Sequence, residues 1–117
     1  MAIEFAELTT TLERLPPQNL EAEQAVLGSM LLEEDALMSA AELLEEPAFY
    51  KDAHRKIFAA LLWLYRNHVA VDLVTLTEEL KKRNLLDEIG GPTYLTMLTS
   101  AVPTAANVEH YCRIVRE

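Results

Sequence analysis

Residues 52–67 read DAHRKIFAALLWLYRN. Within this stretch Ile57, Phe58, Leu61, Leu62, Leu64 and Tyr65 recur at helical spacing and form a wide apolar stripe, with Trp63 beside it. The spacing predicts a helix from Asp52 to Asn67 at the centre of the core. The apolar run Ile57 to Tyr65 is the longest in the chain, far short of the ~20 residues a membrane span requires. A helix this apolar must be covered by other elements, so the flanks decide the fold class.

Towards the C-terminus, Val69-Ala70-Val71-Asp72 is short and extended. Thr75-Leu76-Thr77-Glu78 fits the capping-box pattern, with Asp72 as a rival cap for the same helix. That helix ends in Lys81-Lys82-Arg83-Asn84, cations suited to the negative end of the dipole. Gly90-Gly91 predicts a turn, and Pro92 suits the first helical position of a short helix marked by Tyr94, Leu95 and Leu98. Val102-Pro103-Thr104 closes it and starts the last helix, with Thr104 as cap and Val108, Tyr111, Cys112 and Val115 as the apolar face.

Towards the N-terminus, Asn19 suits an N-cap and Ala22, Val26 and Met30 keep helical spacing beside Ala25 and Leu27. Glu21 and Glu23 fall in the first turn, where the dipole favours acids. Gly28 points to close helix–helix approach. Asp35 is the expected cap of a second helix carrying Leu37, Ala40, Ala41 and Leu44, stopped by Pro47, and Ala48-Phe49-Tyr50 forms a turn. Leu8, Leu12 and Leu15 fit either a short helix or an arm docking on a neighbour, and Pro16-Pro17 ends it. No period-2 strand stands out. The expected fold is all-α, about six or seven short helices, with an arm over 1–15 and the domain over 16–117.

A chain of 117 residues, half apolar and a quarter charged, fits one globular domain. Its formal charge is −9. A protein built to grip phosphates is usually basic, so DNA binding is expected to be weak or absent. From Leu15 to Tyr50 there is no Lys or Arg, while eight acids lie there, among them Glu33, Glu34 and Asp35. Two readings fit this imbalance: a solvated, solubilising surface, or a surface that meets a basic partner. The single Cys112 excludes an internal disulfide, and the N-terminus lacks a signal-peptide layout, so the expected location is cytoplasmic. The last helix has no stop signal before Glu117, which predicts a longer natural protein.

Chemistry-bearing motifs are sparse. His54, His68 and His110 are the only histidines. His54 reads as a helix-start or surface residue within hydrogen-bonding reach of a neighbour, and His68 as a helix C-terminal one. His110 and Cys112 point to different sides of a helix, and the zinc spacings are missing, so no metal site is expected. Three glycines, two adjacent, cannot build a nucleotide-binding loop, so no cofactor and no catalytic group are expected. For partner contact, Tyr94 and Leu95 come first, on a short helix that projects after a glycine turn, with core packing the rival reading for Tyr94. Glu33, Glu34 and Asp35 come second, as an exposed acidic loop.

Five blocks, in order, resemble the N-terminal domain of DnaB-type replicative DNA helicases. They are Pro17 to Gly28 (PQNLEAEQAVLG); Phe49-Tyr50 with His54 and Ile57-Phe58; Val71 to Leu76 (VDLVTL) with Glu79-Leu80; Gly90-Gly91 with Tyr94-Leu95; and Pro103 to Asn107 (PTAAN) with Tyr111 and Ile114 to Glu117. The resemblance implies a compact, non-catalytic helical head, truncated where the family's helical hairpin begins. It implies self-association as dimers, and as a trimer-of-dimers hexamer in the full protein. It also implies docking of the primase C-terminal domain, and ATP and Mg held only by a motor domain absent here. An unrelated helical adaptor domain is the alternative.

Overall fold

The computed structural model describes residues 20–101 and 107–116. The expectations for Leu8, Leu12, Leu15, Pro16, Pro17, Asn19, Val102, Pro103 and Thr104 lie outside them. Among the described residues there are six α-helices, one 3-10 turn and no strand. Residues 20–32 are helical (α1). α2 spans Glu34–Leu43, the 3-10 turn Glu46–Ala48, α3 Asp52–Arg66, α4 Leu73–Lys82, α5 Gly91–Ser100 and α6 Val108–Arg116. None of these helices is long and apolar enough to cross a membrane.

α3 is the hub. Ile57, Phe58, Ala60 and Leu61 are completely buried. At about 1.5–3 kcal/mol per fully buried large apolar side chain, Ile57, Phe58 and Leu61 together contribute roughly 4.5–9 kcal/mol to the core. α4 and the 3-10 turn pack on α3, α5 packs on α4, and α2 packs on α6. Phe49, after the 3-10 turn, meets Phe58 with ring centroids 4.8 Å apart. α1 adds Val26, Leu27 and Met30 to the same core, with Gly28 buried among them. Cys112 fills a core position on α6 beside Val108 and Val115.

Three turns share one device. The N–H groups of Val69, Leu85 and Gly91 each reach back five residues, to Leu64, Leu80 and Leu86, at 2.9 Å. The residue before each donor, His68 (φ 59°), Asn84 (φ 59°) or Gly90 (φ 113°), takes a positive φ. These left-handed positions stop α3, stop α4 and launch α5.

Two caps differ from expectation. α2 starts at Glu34 with Glu33 as a cap residue that makes no side-chain cap bond, so Asp35 sits inside the first turn. For α4, Asp72 wins over Thr75. The Asp72 carboxylate accepts from the Thr75 N–H at 2.9 Å, and the Thr75 hydroxyl accepts from the Asp72 N–H at 3.0 Å. Asp at the cap position with Thr three residues on forms the same reciprocal pair one turn earlier than a Thr75–Glu78 box would.

Candidate functional site

The most distinctive polar cluster lies where α1, the start of α3 and α5 meet. Glu23 of α1 is 1% exposed and His54 of α3 is 0% exposed. Nδ1 of His54 lies 2.7 Å from Oε1 of Glu23. Nε2 of His54 lies 2.5 Å from the Tyr94 hydroxyl on α5. The Glu23 carboxylate also accepts backbone N–H bonds from Tyr50 (2.6 Å) and Lys51 (3.3 Å), just before α3. Those two amides precede the helix start, where an acid is also favoured by the dipole.

Donor capacities fix the two ends of the chain. A carboxylate only accepts, so His54 donates from Nδ1. The Lys51 ammonium only donates, to the Tyr94 oxygen at 3.4 Å, and it also lies 4.7 Å from the ring centroid. The Tyr94 hydroxyl, which can both donate and accept, closes the outer end of the chain on Nε2. Every polar atom of the buried pair is satisfied. Ser29 Oγ is the buried side-chain polar atom among the described residues that has no partner.

The carboxylate–imidazole–hydroxyl order is that of a nucleophile relay, but the geometry turns it to another use. Grooves of about 500, 330 and 550 Å³ on the molecule are lined by other residues. The cluster ties three helices together. Next to it, Lys56 bridges Asp52 at 2.8 Å and Glu88 at 2.5 Å, tethering the turn that leads to Gly90. The hydrogen bond from Lys56 holds the Asp52 carboxyl below its ordinary range, and Asp52 and Glu88 push the Lys56 ammonium up. Among the described residues no group of three or more His, Cys, Asp or Glu is placed to hold a metal ion.

The expected contact residues scatter. Leu95 is fully buried, which corrects the expectation that it projects with Tyr94. Leu95 and Leu98, three apart, share the inward face of α5. Tyr94 sits at the boundary, half-buried, with its ring against the core and its hydroxyl on His54. Glu33, Glu34 and Asp35 are exposed at the α1–α2 junction, on helix ends and not in a loop. His54, expected near the surface, is buried, and Glu23, expected as a first-turn acid, is its partner. The signal was there: Glu23 stands four and seven residues before Leu27 and Met30, and His54 three, four and seven before Ile57, Phe58 and Leu61. A polar residue on each of two apolar stripes calls for a partner on the other.

The family described as "DnaB-like helicase N terminal domain" matches residues 15–117. The chain is similar to the replicative DNA helicase DnaB of Geobacillus stearothermophilus, 55% identical over 105 residues, covering 90% of this chain and 23% of that protein. It is similar to the replicative DNA helicase DnaC of Bacillus subtilis, 52% identical with the same coverage. The crystal structure of the N-terminal domain of DnaB helicase from Mycobacterium tuberculosis superposes with a TM-score of 0.83 at 48% identity, over 86% of this chain and 72% of that one. The chain thus spans about a quarter of the length of the helicases it matches.

Proposed function

The chain belongs to the DnaB-like helicase N-terminal domain family, and from that premise we propose that it is the collar head of a replicative helicase, associating with its own copies and docking primase. In this reading residues 16–117 are the head, residues 1–15 an arm, and the assembly a cytoplasmic trimer of dimers. ATP and Mg belong to the motor portion of the full protein. DNA is gripped elsewhere. Tyr94, Glu33, Glu34 and Asp35 are the side chains offered to partners.

One observation carries the reading: a closed head with its own core corresponds to the N-terminal domain alone of far longer helicases. The Glu23–His54–Tyr94 tie supports it by making a rigid platform. The test compares the full-length helicase with a form lacking residues 1–117, titrating each with a primase C-terminal domain by calorimetry. Loss of binding in the deleted form, together with loss of hexamers in sedimentation, is the expected result. A deleted form that still binds primase and still assembles as hexamers overturns the reading.

A further inference from the structure

A groove of about 500 Å³ opens where α1 ends, α2 begins and the chain leaves α3. Leu31, Leu32, Tyr65, Val69 and Val71 line it. Leu32 is 52% exposed and Val69 37% exposed, two large apolar side chains left in water at one place. Its volume falls in the range of formed ligand pockets, about 300–1,000 Å³. Glu33 and Glu34 form its acidic lip, with Asp35 next to them and also exposed. Among the described residues none of these three acids has a Lys, Arg or His nitrogen within 4.0 Å, since every ion pair lies elsewhere.

We propose that this groove docks a basic amphipathic helix of a partner protein, which seats a large apolar residue between Leu32 and Val69 and sets Lys or Arg against Glu33 and Glu34. The inference deepens the partner-docking reading above and rests on it. Charge decides among occupants. A second copy carries a net charge of −9 and meets the lip with like charge. The chain's own residues 1–19 hold Glu4, Glu7 and Glu13 against Arg14 alone, again the wrong sign. A helix presenting apolar anchors at i, i+3 and i+4 beside cations matches both groove and lip.

The probe is a synthetic helix of about 18 residues with a leucine stripe and a lysine face, long enough to be helical. A counterpart carries glutamate in place of lysine. Both are titrated into the isotope-labelled 117-residue chain and followed by amide shifts. The lysine peptide is expected to move Leu31 to Glu34 and Val69 to Val71, and the glutamate peptide to bind far more weakly. Leu32→Ser combined with Val69→Ser is expected to weaken binding about tenfold. Met38→Ser and Val74→Ser, apolar side chains exposed outside the groove, should change it by less than roughly twofold. Thermal melts confirm that each variant is folded.

Three outcomes overturn the proposal. One is equal binding of the two peptides, or shifts centred elsewhere. Another is self-association that depends on Leu32 and Val69 while the peptide fails to bind, which makes a second copy the occupant. The third is peptide binding only after residues 1–15 are removed, which makes the chain's own segment the occupant. None of these depends on primase, so failure here is separable from failure of the collar reading.

Discussion

At the scale of single residues, the buried Glu23–His54 pair dominates the energetics. Removing one member leaves the other desolvated and strands the Tyr50 and Lys51 amides or the Tyr94 hydroxyl, a loss of about 3–5 kcal/mol for breaking a buried pair. Glu23→Ala and His54→Ala are therefore expected to lower unfolding free energy by that order in urea titrations. The double variant Glu23→Leu/His54→Leu should cost much less than the sum, because no unpartnered polar group remains on either helix. Additive losses would show that the two side chains act independently. Tyr94→Phe is the milder probe, since it keeps the ring and removes only the hydroxyl that meets Nε2 and the Lys51 ammonium, costing about 1–3 kcal/mol. Cys112 gives the pH-dependent case. Burial pushes its thiol up to about 11 from 9.0, with Glu109 adding to the shift. The folded state thus holds this proton more tightly than the unfolded one. Its stabilising share is complete below pH 9 and is lost as pH rises towards 11. Cys112→Ala should flatten the fall in melting temperature across that window, and an unchanged slope would remove Cys112 as its source.

At the scale of elements, helix ends carry the testable content. Asp72→Ala breaks the reciprocal cap of α4 and is expected to cost about 1 kcal/mol. Thr75→Ala should cost a similar amount, and the pair should be non-additive if one box is at work. Gly90 and Gly91 separate two glycine effects. A Cβ at Gly90 would lie 2.8 Å from the Tyr94 Cβ with φ at 113°, whereas one at Gly91 meets nothing within 4 Å at φ 75°. Gly90→Ala must therefore destabilise more than Gly91→Ala, and equal melting temperatures would contradict the close approach of the turn to Tyr94. These ends also mark what a sequence reader can and cannot see. The body of α3 was legible because its apolar stripe is long, and it spans Asp52–Arg66 as its spacing requires. The cap of α4 was ambiguous because Asp72 and Thr75 each fit a local rule. Leu95 was misjudged because a glycine turn says where a helix starts but not how it is rotated. Glu23 and His54 were readable only as a pair, since each has an ordinary local explanation and the partner is 31 positions away.

For the whole molecule, the question is whether a domain of a DNA-handling family itself holds DNA. Net charge argues against it, and the structure sharpens that argument. The densest basic cluster, Lys81-Lys82-Arg83, sits at the end of α4 among carboxylates. Lys81 pairs with Glu78 at 3.4 Å, and Arg83 pairs with Glu79, itself 8% exposed, at 2.8 Å. Lys51 is drawn to Tyr94 and Lys56 to Asp52 and Glu88. To contact phosphates, several of these cations would have to leave carboxylate or hydroxyl partners, on a surface whose net charge of −9 repels the incoming phosphates. Counterion release makes the prediction quantitative. Each phosphate neutralised steepens the fall of log K with log salt by about 0.7 for single strands, so a head that neutralises none shows no slope. Labelled single-stranded DNA of ~20 nucleotides, longer than one typical single-strand site, is expected to keep its free anisotropy when the chain is added. That should hold from low salt to about 0.15 M, and Lys81→Ala/Lys82→Ala/Arg83→Ala should change nothing. A salt-dependent rise in anisotropy that this triple variant abolishes would make the α4 end a phosphate contact, and the head a participant in gripping the strand.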